Sequence, residues 1–344
     1  MNKDIFLSYI IPCYNVQKYL PACIESLARQ SIKEGAGIEY IFVNDGSNDD
    51  TLSILNAFAD RDKRATVIDQ ANQGVCAARN NGLKFAKGKY VYFHDGDDIL
   101  TDEASQLVYD VSFEKEPDII IPYAYSVKEN ELDNNKEWKT FADFKPGIYS
   151  QRDFVEQITT LPISVKVYKQ DIIVNNNIKF DEDLKVGEVY TFFFHVLSRS
   201  KFIALSDKHM MKWVERNEGT TRGGNIKRDI QIINTIHHID MYADLFPFNV
   251  KSCQSYQNSL YEITTIFSFS KYFEVSNYSS DINHFLKEVR NDCVFKDTLK
   301  YFLFRNPRYG RRYLNIAVLY FFPVSFTYFK IKYSKKVRSL LKRS

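Results

Sequence analysis

Three carboxylates, Asp95, Asp97 and Asp98, stand directly behind the apolar run of the stretch YVYFHDGDDIL. Two like charges about 4 Å apart repel by about 4 kcal/mol near a protein surface, so the cluster calls for a cation or a set of amide donors. Asp95 and Asp97, separated by one glycine, suit Mg2+ or Mn2+. Such hard cations take oxygen from one or two protein carboxylates and complete their shell with water and substrate phosphates. A nucleotide diphosphate would supply that complement. The same residues also read as a surface turn, because Asp-Gly is a common turn pair. Asp98 is a candidate cap for the following turn, and His94 is expected as a packed, hydrogen-bonded histidine.

Such a cluster needs a rigid platform. Short β-branched or aromatic runs (SYIIPCY, EYIFVND, ATVID, KYVYFHD, PDIIIPY) alternate with helical periodicity over the first 120 residues. Leu20, Ile24 and Leu27 share one helix face, as do Leu52, Leu55 and Phe58, and Val75, Ala78 and Leu83 mark a third helix. Asp49 or Asp50 is expected to cap the second helix, and Thr101 or Asp102 the one after the carboxylates. Strand and helix in repetition predict an α/β fold, a mostly parallel sheet with helices on both faces. Ligands of such sheets bind outside the carboxyl ends of the strands. The polar residues fall there: Pro12, Tyr14 and Asn15 after the first strand, Asn44, Asp45, Gly46 and Ser47 after the second, and HDGDD after the fourth.

Residues 125–150 are polar and irregular and mark a soft boundary. Helices are predicted over 152–159, 167–176 and 188–198, with two short strands around KFIAL and HMMKWVE. From 226 to 297 the pattern turns helical, with Ile232, Ile233, Ile236 and Ile239 at helical spacing and a second helix through 261–272. The chain has a net charge of +3, but all of that excess is terminal. Beyond Asp297 there are twelve Lys and Arg and no acid, against 34 basic and 43 acidic residues before it. The segment YLNIAVLYFFPVSF within this tail is shorter than the ~20 apolar residues that cross a bilayer. Its basic flanks suit an anionic membrane surface. The five cysteines show no CxxC spacing and an odd count, which predicts reduced thiols and a cytoplasmic chain; the N-terminus lacks a secretory pattern. No GxGxxG follows the first strand, which argues against a dinucleotide oxidoreductase, and no nucleic-acid module is recognisable, so no nucleic-acid partner is expected.

IIPCYN at 10–15, VNDGSNDD at 43–50 and NQGVCAARNNGLKFAKGKYVYFHDGDD at 72–98, in this order and spacing, resemble the nucleotide-sugar half of glycosyltransferase family 2. The resemblance covers residues 5–125 and, more loosely, 160–222. It implies a GT-A (Rossmann-like) fold over 1–222, a nucleotide-sugar half at 1–125 and an acceptor half at 150–222. A helical accessory region (223–300) and a membrane-associating tail (301–344) would follow. The family transfers a sugar with inversion and uses a divalent metal. Carried onto this chain, the resemblance puts Pro12, Tyr14 and Asn15 beside the donor base and Asp45 on the base itself, where a carboxylate accepts from a uracil ring N–H. It puts Arg79 near base or diphosphate, Asp97 on the metal, and Asp95 on metal or ribose. Lys166 would face phosphate or acceptor. A carboxylate at a helix start serves the family as base, and here Glu188 takes that place while Val189 replaces the usual second acid. A helix N-terminus favours the ionised form of Glu188, as a proton acceptor requires. Arg216, Thr220, Thr221, Gly223 and Gly224 resemble a loop that closes over the donor. The implied partners are a nucleotide-sugar, UDP-linked by family habit, and a saccharide acceptor of the polyprenyl-diphosphate-linked kind, met at the inner face of the cell membrane. Val189 and Asn44 also admit an alternative, a non-catalytic nucleotide-sugar or glycan binding module.

Overall fold

Alternating side chains on the strands are buried on both faces, which is what helices on either side of a parallel sheet demand. The structure is a computed structural model describing residues 4–129, 136–137, 145–158, 165–184, 186–215, 232–253 and 255–256. Its residues fall into two compact units. The first comprises 1–158, 162–182 and 192–217, and the second 159–161, 183–191 and 218–344.

The first unit is built on one sheet. Its strands are β1 (Ile5–Cys13), β2 (Gly37–Asp45), β3 (Ala65–Gln70), β4 (Tyr90–Phe93), β5 (Ile99–Leu100), β6 (Ile119–Lys128), β7 (Lys136–Glu137), β8 (Gly147–Ser150), β9 (Val167–Lys169) and β10 (Phe202–Glu215). Helices α1 (Leu20–Ala28), α2 (Thr51–Arg61), α3 (Val75–Leu83), α4 (Ala104–Ser112), α5 (Gln151–Gln157) and α6 (Gln170–Asn175) connect them. The order is β3-β2-β1-β4-β9-β6-β10-β5, with β7 on β6 and β8 on β10. β1 to β4 run parallel, β9 lies antiparallel between β4 and β6, and β10 runs parallel to β6. The carboxyl ends of β1, β2, β3, β4, β6 and β10 therefore share one edge. The predicted mostly parallel α/β sheet is present.

Period-two alternation divides the core. Tyr9, Ile11, Tyr40 and Phe42 pack with Leu20, Cys23 and Leu27 of α1, Leu55 of α2 and Leu107 of α4. On the opposite face α3 comes so close that a Cβ on Gly82 would lie 2.5 Å from Ile10 Cγ2.

Three local expectations differ from the structure. The helix expected over 167–176 begins only at Gln170, because Val167 and Tyr168 supply the strand that fills the slot between β4 and β6. The two strands expected around KFIAL and HMMKWVE are one, β10, whose pairing with β6 survives shifts of register on either side of His209. Neither Thr101 nor Asp102 caps α4. The Thr101 hydroxyl donates to the His209 carbonyl, and Asp102 pairs with Arg29 at 2.8 Å. At α2 the N-cap is Asp50, whose side chain makes no capping hydrogen bond, while Asp49 before it accepts from the Thr51 amide at 3.0 Å.

In the second unit, α8 (Ile232–Ala243) realises the helical spacing read at its start and buries Ile236 and Ile239. Its Thr235 hydroxyl donates to the Val186 carbonyl, and Lys251 bridges Asp240 and Asp244 at 3.0 and 2.9 Å. Helix α7 (Glu188–Arg199) begins in this unit and continues into the first from Phe192. Among the described residues no helix is long and apolar enough to cross a membrane. The expected helix over 261–272, the loop bearing Arg216, Thr220, Thr221, Gly223 and Gly224, and the tail 301–344 lie outside the described residues.

Candidate active site

At the carboxyl edge of the first unit, three loops and the face of α3 supply the predicted residues. After β1, Pro12 is partly exposed and Tyr14 is 48% exposed. Asn15, in the left-handed region at φ 51°, is committed to structure: its amide donates to Ser47 Oγ and its Oδ1 accepts from the Asn48 amide, at 3.0 and 2.8 Å. Asn15 thus fastens the loop after β1 to the loop after β2.

Asp45, at the end of β2, is buried and accepts three hydrogen bonds of 2.8 Å, from Gln70 Nε2 and from the amides of Gln73 and Gly74. This carboxylate organises the turn that launches α3. Gly46 beside it has φ +68°, and any Cβ there would meet the Asn72 amide nitrogen at 2.7 Å. Neighbouring Asn44 is buried and donates through Nδ2 to Asp69 Oδ1 at 2.7 Å, while its own Oδ1 meets no partner.

Helix α3 presents Arg79. Its side chain is 7% exposed, its guanidinium lies 5.2 Å from the Phe180 ring centre, and Nη2 donates to Asp95 Oδ1 at 2.9 Å. Asp95 is half-exposed at 51% and Asp97 is partly exposed. Asp98 is turned inward, where its Oδ1 accepts from the Val214 amide of β10 at 3.3 Å. It ties the loop to a strand distant in sequence. Burial, reinforced by the charges of Asp95 and Asp97, pushes the Cys13 thiol beneath the loop well above its ordinary value. A Cβ on Gly96 would sit 2.9 Å from that sulfur, so only glycine brings the loop this close to β1.

These features fit a hard divalent cation. Asp95 is half-exposed, Asp97 is partly exposed, and Asp98 is buried and bonded to Val214. Among the described residues no three His, Cys, Asp or Glu side chains gather to hold a metal alone. Asp95 and Asp97 would then furnish the protein ligands, with diphosphate and water completing the shell.

His94 is fully buried, with its ring 5.6 Å from that of Tyr92. The expected hydrogen bonds are missing at normal geometry, since neither ring nitrogen meets a partner. Burial pushes the imidazole down to about 4, so it is neutral at physiological pH. Lys166 is buried, with its ammonium 4.8 Å from the Phe193 ring centre, and burial pushes it down to about 7. Glu188, in the second unit, opens α7 immediately after Gly187, whose φ of 77° suits glycine. There the Gly187 carbonyl accepts from the Tyr190 and Thr191 amides, and a Cβ at Gly187 would clash with Thr235.

Sequence reasoning missed the donors that hold Asp45, the inward turn of Asp98, and a clamp made by Asn80 on the backbone at Phe180. The motif AARNN carried a signal for the last, since an Asn beside a buried Arg invites a partner.

Comparison with known proteins bears on the sequence segment and the fold that hold these residues. Residues 8–173 match the model of the glycosyl transferase family 2. A Bacillus subtilis relative, the uncharacterized glycosyltransferase EpsJ, is 29% identical over 223 residues, 62% of each chain. The poly(ribitol-phosphate) beta-glucosyltransferase of Bacillus spizizenii is 26% identical over 62% of this chain and 33% of its own length. Glycosyltransferase GlyG of Streptococcus pneumoniae is 36% identical over 36% of this chain and 41% of its own. The chain thus spans less than two thirds of each of these relatives. Among solved structures, residues 1–349 of S. aureus TarS in complex with UDP-GlcNAc superpose with a TM-score of 0.71 at 19% identity, covering 96% and 92% of the two chains. The mannosyltransferase PcManGT of Pyrobaculum calidifontis, in complex with GDP-Man and Mn2+, gives 0.51 at 13% identity over 78% and 74%. Residues 8–173 are thus similar to glycosyl transferase family 2, and the chain shares the fold of the TarS structure.

Proposed function

We propose that the chain transfers a sugar from a nucleotide-sugar, with UDP as the nucleotide, to a hydroxyl of a saccharide acceptor by single displacement with inversion. The observation that carries this reading is the half-exposed Asp95 at the carboxyl edge of the sheet, one residue from Asp97 and paired with a buried arginine. It lies within the matched family segment. The TarS complex with UDP-GlcNAc supports a UDP-sugar donor, and the poly(ribitol-phosphate) beta-glucosyltransferase supports a cell-surface polysaccharide as product class.

In this mechanism Pro12 and Tyr14 border the base. Asp45 shapes the base pocket through the turn it holds. A divalent cation on Asp95 and Asp97, when bound, offsets the charge that grows on the leaving diphosphate. Arg79 adds a fixed positive charge that costs no reorganisation during reaction. Lys166 shifts between charged and neutral forms near physiological pH and donates to a phosphate oxygen. Glu188, at the start of α7, takes the proton of the attacking hydroxyl. The basic tail would hold the enzyme at the inner membrane face, where a polyprenyl-diphosphate-linked acceptor is presented.

The test is release of nucleoside diphosphate from UDP-, GDP- and dTDP-sugars with and without Mn2+, with a lipid-linked acceptor extract, in the unaltered protein and in Asp97→Asn and Glu188→Gln. Cleavage of one donor that depends on Mn2+ and is lost in both variants is the expected result. Donor binding without hydrolysis or transfer would overturn it in favour of a binding module.

A further inference from the structure

Arg79 and Asn80 are consecutive on α3, so they diverge by about 100° around the helix axis and grip different things. Arg79 reaches Asp95. Asn80, 8% exposed, takes hold of the segment that follows α6. Its Nδ2 donates to the Phe180 carbonyl at 2.8 Å, its Oδ1 accepts from the Phe180 amide at 2.9 Å, and Nδ2 donates again to Glu182 Oε1 at 2.9 Å. Both amide hydrogens are used, and the paired bonds to the two peptide groups that flank the Phe180 Cα fix the position and the orientation of that residue.

The clamped residue is the one whose ring lies beneath the Arg79 guanidinium, 5.2 Å away. That ring stacks on Phe192 at 4.0 Å with an interplanar angle of 6°, and Phe93 meets both edge-on at 4.9 and 5.4 Å. Phe93 ends β4, two residues before Asp95. Phe180 is therefore a common wall for the arginine and for the strand that carries the carboxylates.

We infer that Asn80 is a positioning residue for the candidate metal and diphosphate site. By fixing the Phe180 backbone it sets the ring under Arg79 and so holds the guanidinium against Asp95. The role rests on the transferase reading given above. It differs from a satisfied core asparagine in one respect: loosening it must move ligand affinity as well as stability.

The discriminating variant is Asn80→Asp, which keeps the acceptor for the Phe180 amide but sets a carboxylate against the Phe180 carbonyl and Glu182. Glu182→Gln in that background removes the like charge and restores a donor. Binding of Mn2+ with UDP, GDP or dTDP would be measured by calorimetry and by the Mn2+ paramagnetic resonance signal, beside thermal melting. Groups that orient metal ligands are worth about 10- to 100-fold in metal affinity. Asn80→Asp is accordingly expected to weaken Mn2+–nucleotide binding about tenfold, and the double variant to recover most of it. If Asn80→Asp folds poorly, Phe180→Leu keeps the backbone clamp and removes only the wall, with the same weakening expected. Unchanged binding in either folded variant, or no recovery in the double variant, overturns the role. Failure of the unaltered protein to bind any of the three nucleotides overturns the donor-site reading itself and this role with it, a result distinct from unchanged binding in a variant.

Discussion

Asp45 ends β2 and Asp95 follows two residues after the end of β4, both at the carboxyl end of a parallel strand, yet the two aspartates are used oppositely. Asp45 is buried and surrounded by three donors, so its charge is consumed in holding the turn before α3. Asp95 is half in solvent, balanced by one guanidinium, with Asp97 beside it. The first carboxylate holds a turn within the fold, and the second stands at its surface, where the proposed function assigns it a ligand. A negative charge satisfied inside the fold contributes stability, whereas one presented to solvent next to its like is tolerable only where a cation is to come.

That contrast can be broken most severely at the presented carboxylates and the proposed base. Glu188→Gln is expected to lower the rate of transfer by about 100- to 10,000-fold, the range for a general base, with donor affinity retained; single-turnover kinetics with bound donor would reveal it. Asp97→Asn should cost a similarly large share of activity while leaving the melting temperature near that of the unaltered protein, and titration with Mn2+ should show the metal requirement rising. Asp45→Ala should behave in the reverse sense. It leaves the Gln73 and Gly74 amides and Gln70 without their acceptor, a loss of about 1–3 kcal/mol per buried group left unpaired, so urea unfolding should register it before kinetics do. Equal loss of stability in Asp97→Asn and Asp45→Ala would erase the distinction.

Two buried bases sharpen it further, because burial pushes both toward their neutral forms. The Lys166 ammonium has a folded value near 7 against an ordinary 10.5. Between these the unfolded chain holds the proton and the folded chain does not. Stability therefore rises with pH across that window, by at most about 1.4 kcal/mol per unit from this group, and the burial cost is fully present below pH 7. Lys166→Met should accordingly raise stability most at or below pH 7, with the gain fading toward pH 10.5, in urea denaturation at a series of pH values. The smallest effect is expected at His94. His94→Leu replaces a buried imidazole without normal hydrogen bonds by an apolar side chain, and should raise the melting temperature by a few degrees, as about 1 kcal/mol does in a chain of this size.

Much of the platform was legible in the order of residues. The runs of β1, β2, β3, β4 and β6 and the helical spacing of α1, α2 and α3 announce themselves, because burial on one or both faces imposes a period that local chemistry must obey. The family resemblance, carried by motifs in a fixed order, needed no coordinates either. Val167 was harder to place: three residues are too few for periodicity to tell strand from helix, and only the open slot between β4 and β6 decides. Asp98 looked like a turn cap, because a sequence shows its near neighbours and not Val214.

By itself the sequence determined which residue types stand at the ends of which strands: Pro12, Tyr14 and Asn15, then Asp45, then Asp95 and Asp97. Strand period and turn chemistry are local, and they fix that much. Only the tertiary structure decided how those residues are employed. It spent Asn15 and Asp45 on holding loops together, turned Asp98 inward, laid Arg79 across Phe180 onto Asp95, and buried Lys166 where its charge is costly. Hydrogen-bond partners and desolvation depend on groups 16 to 116 residues apart in the chain, and no local pattern records them.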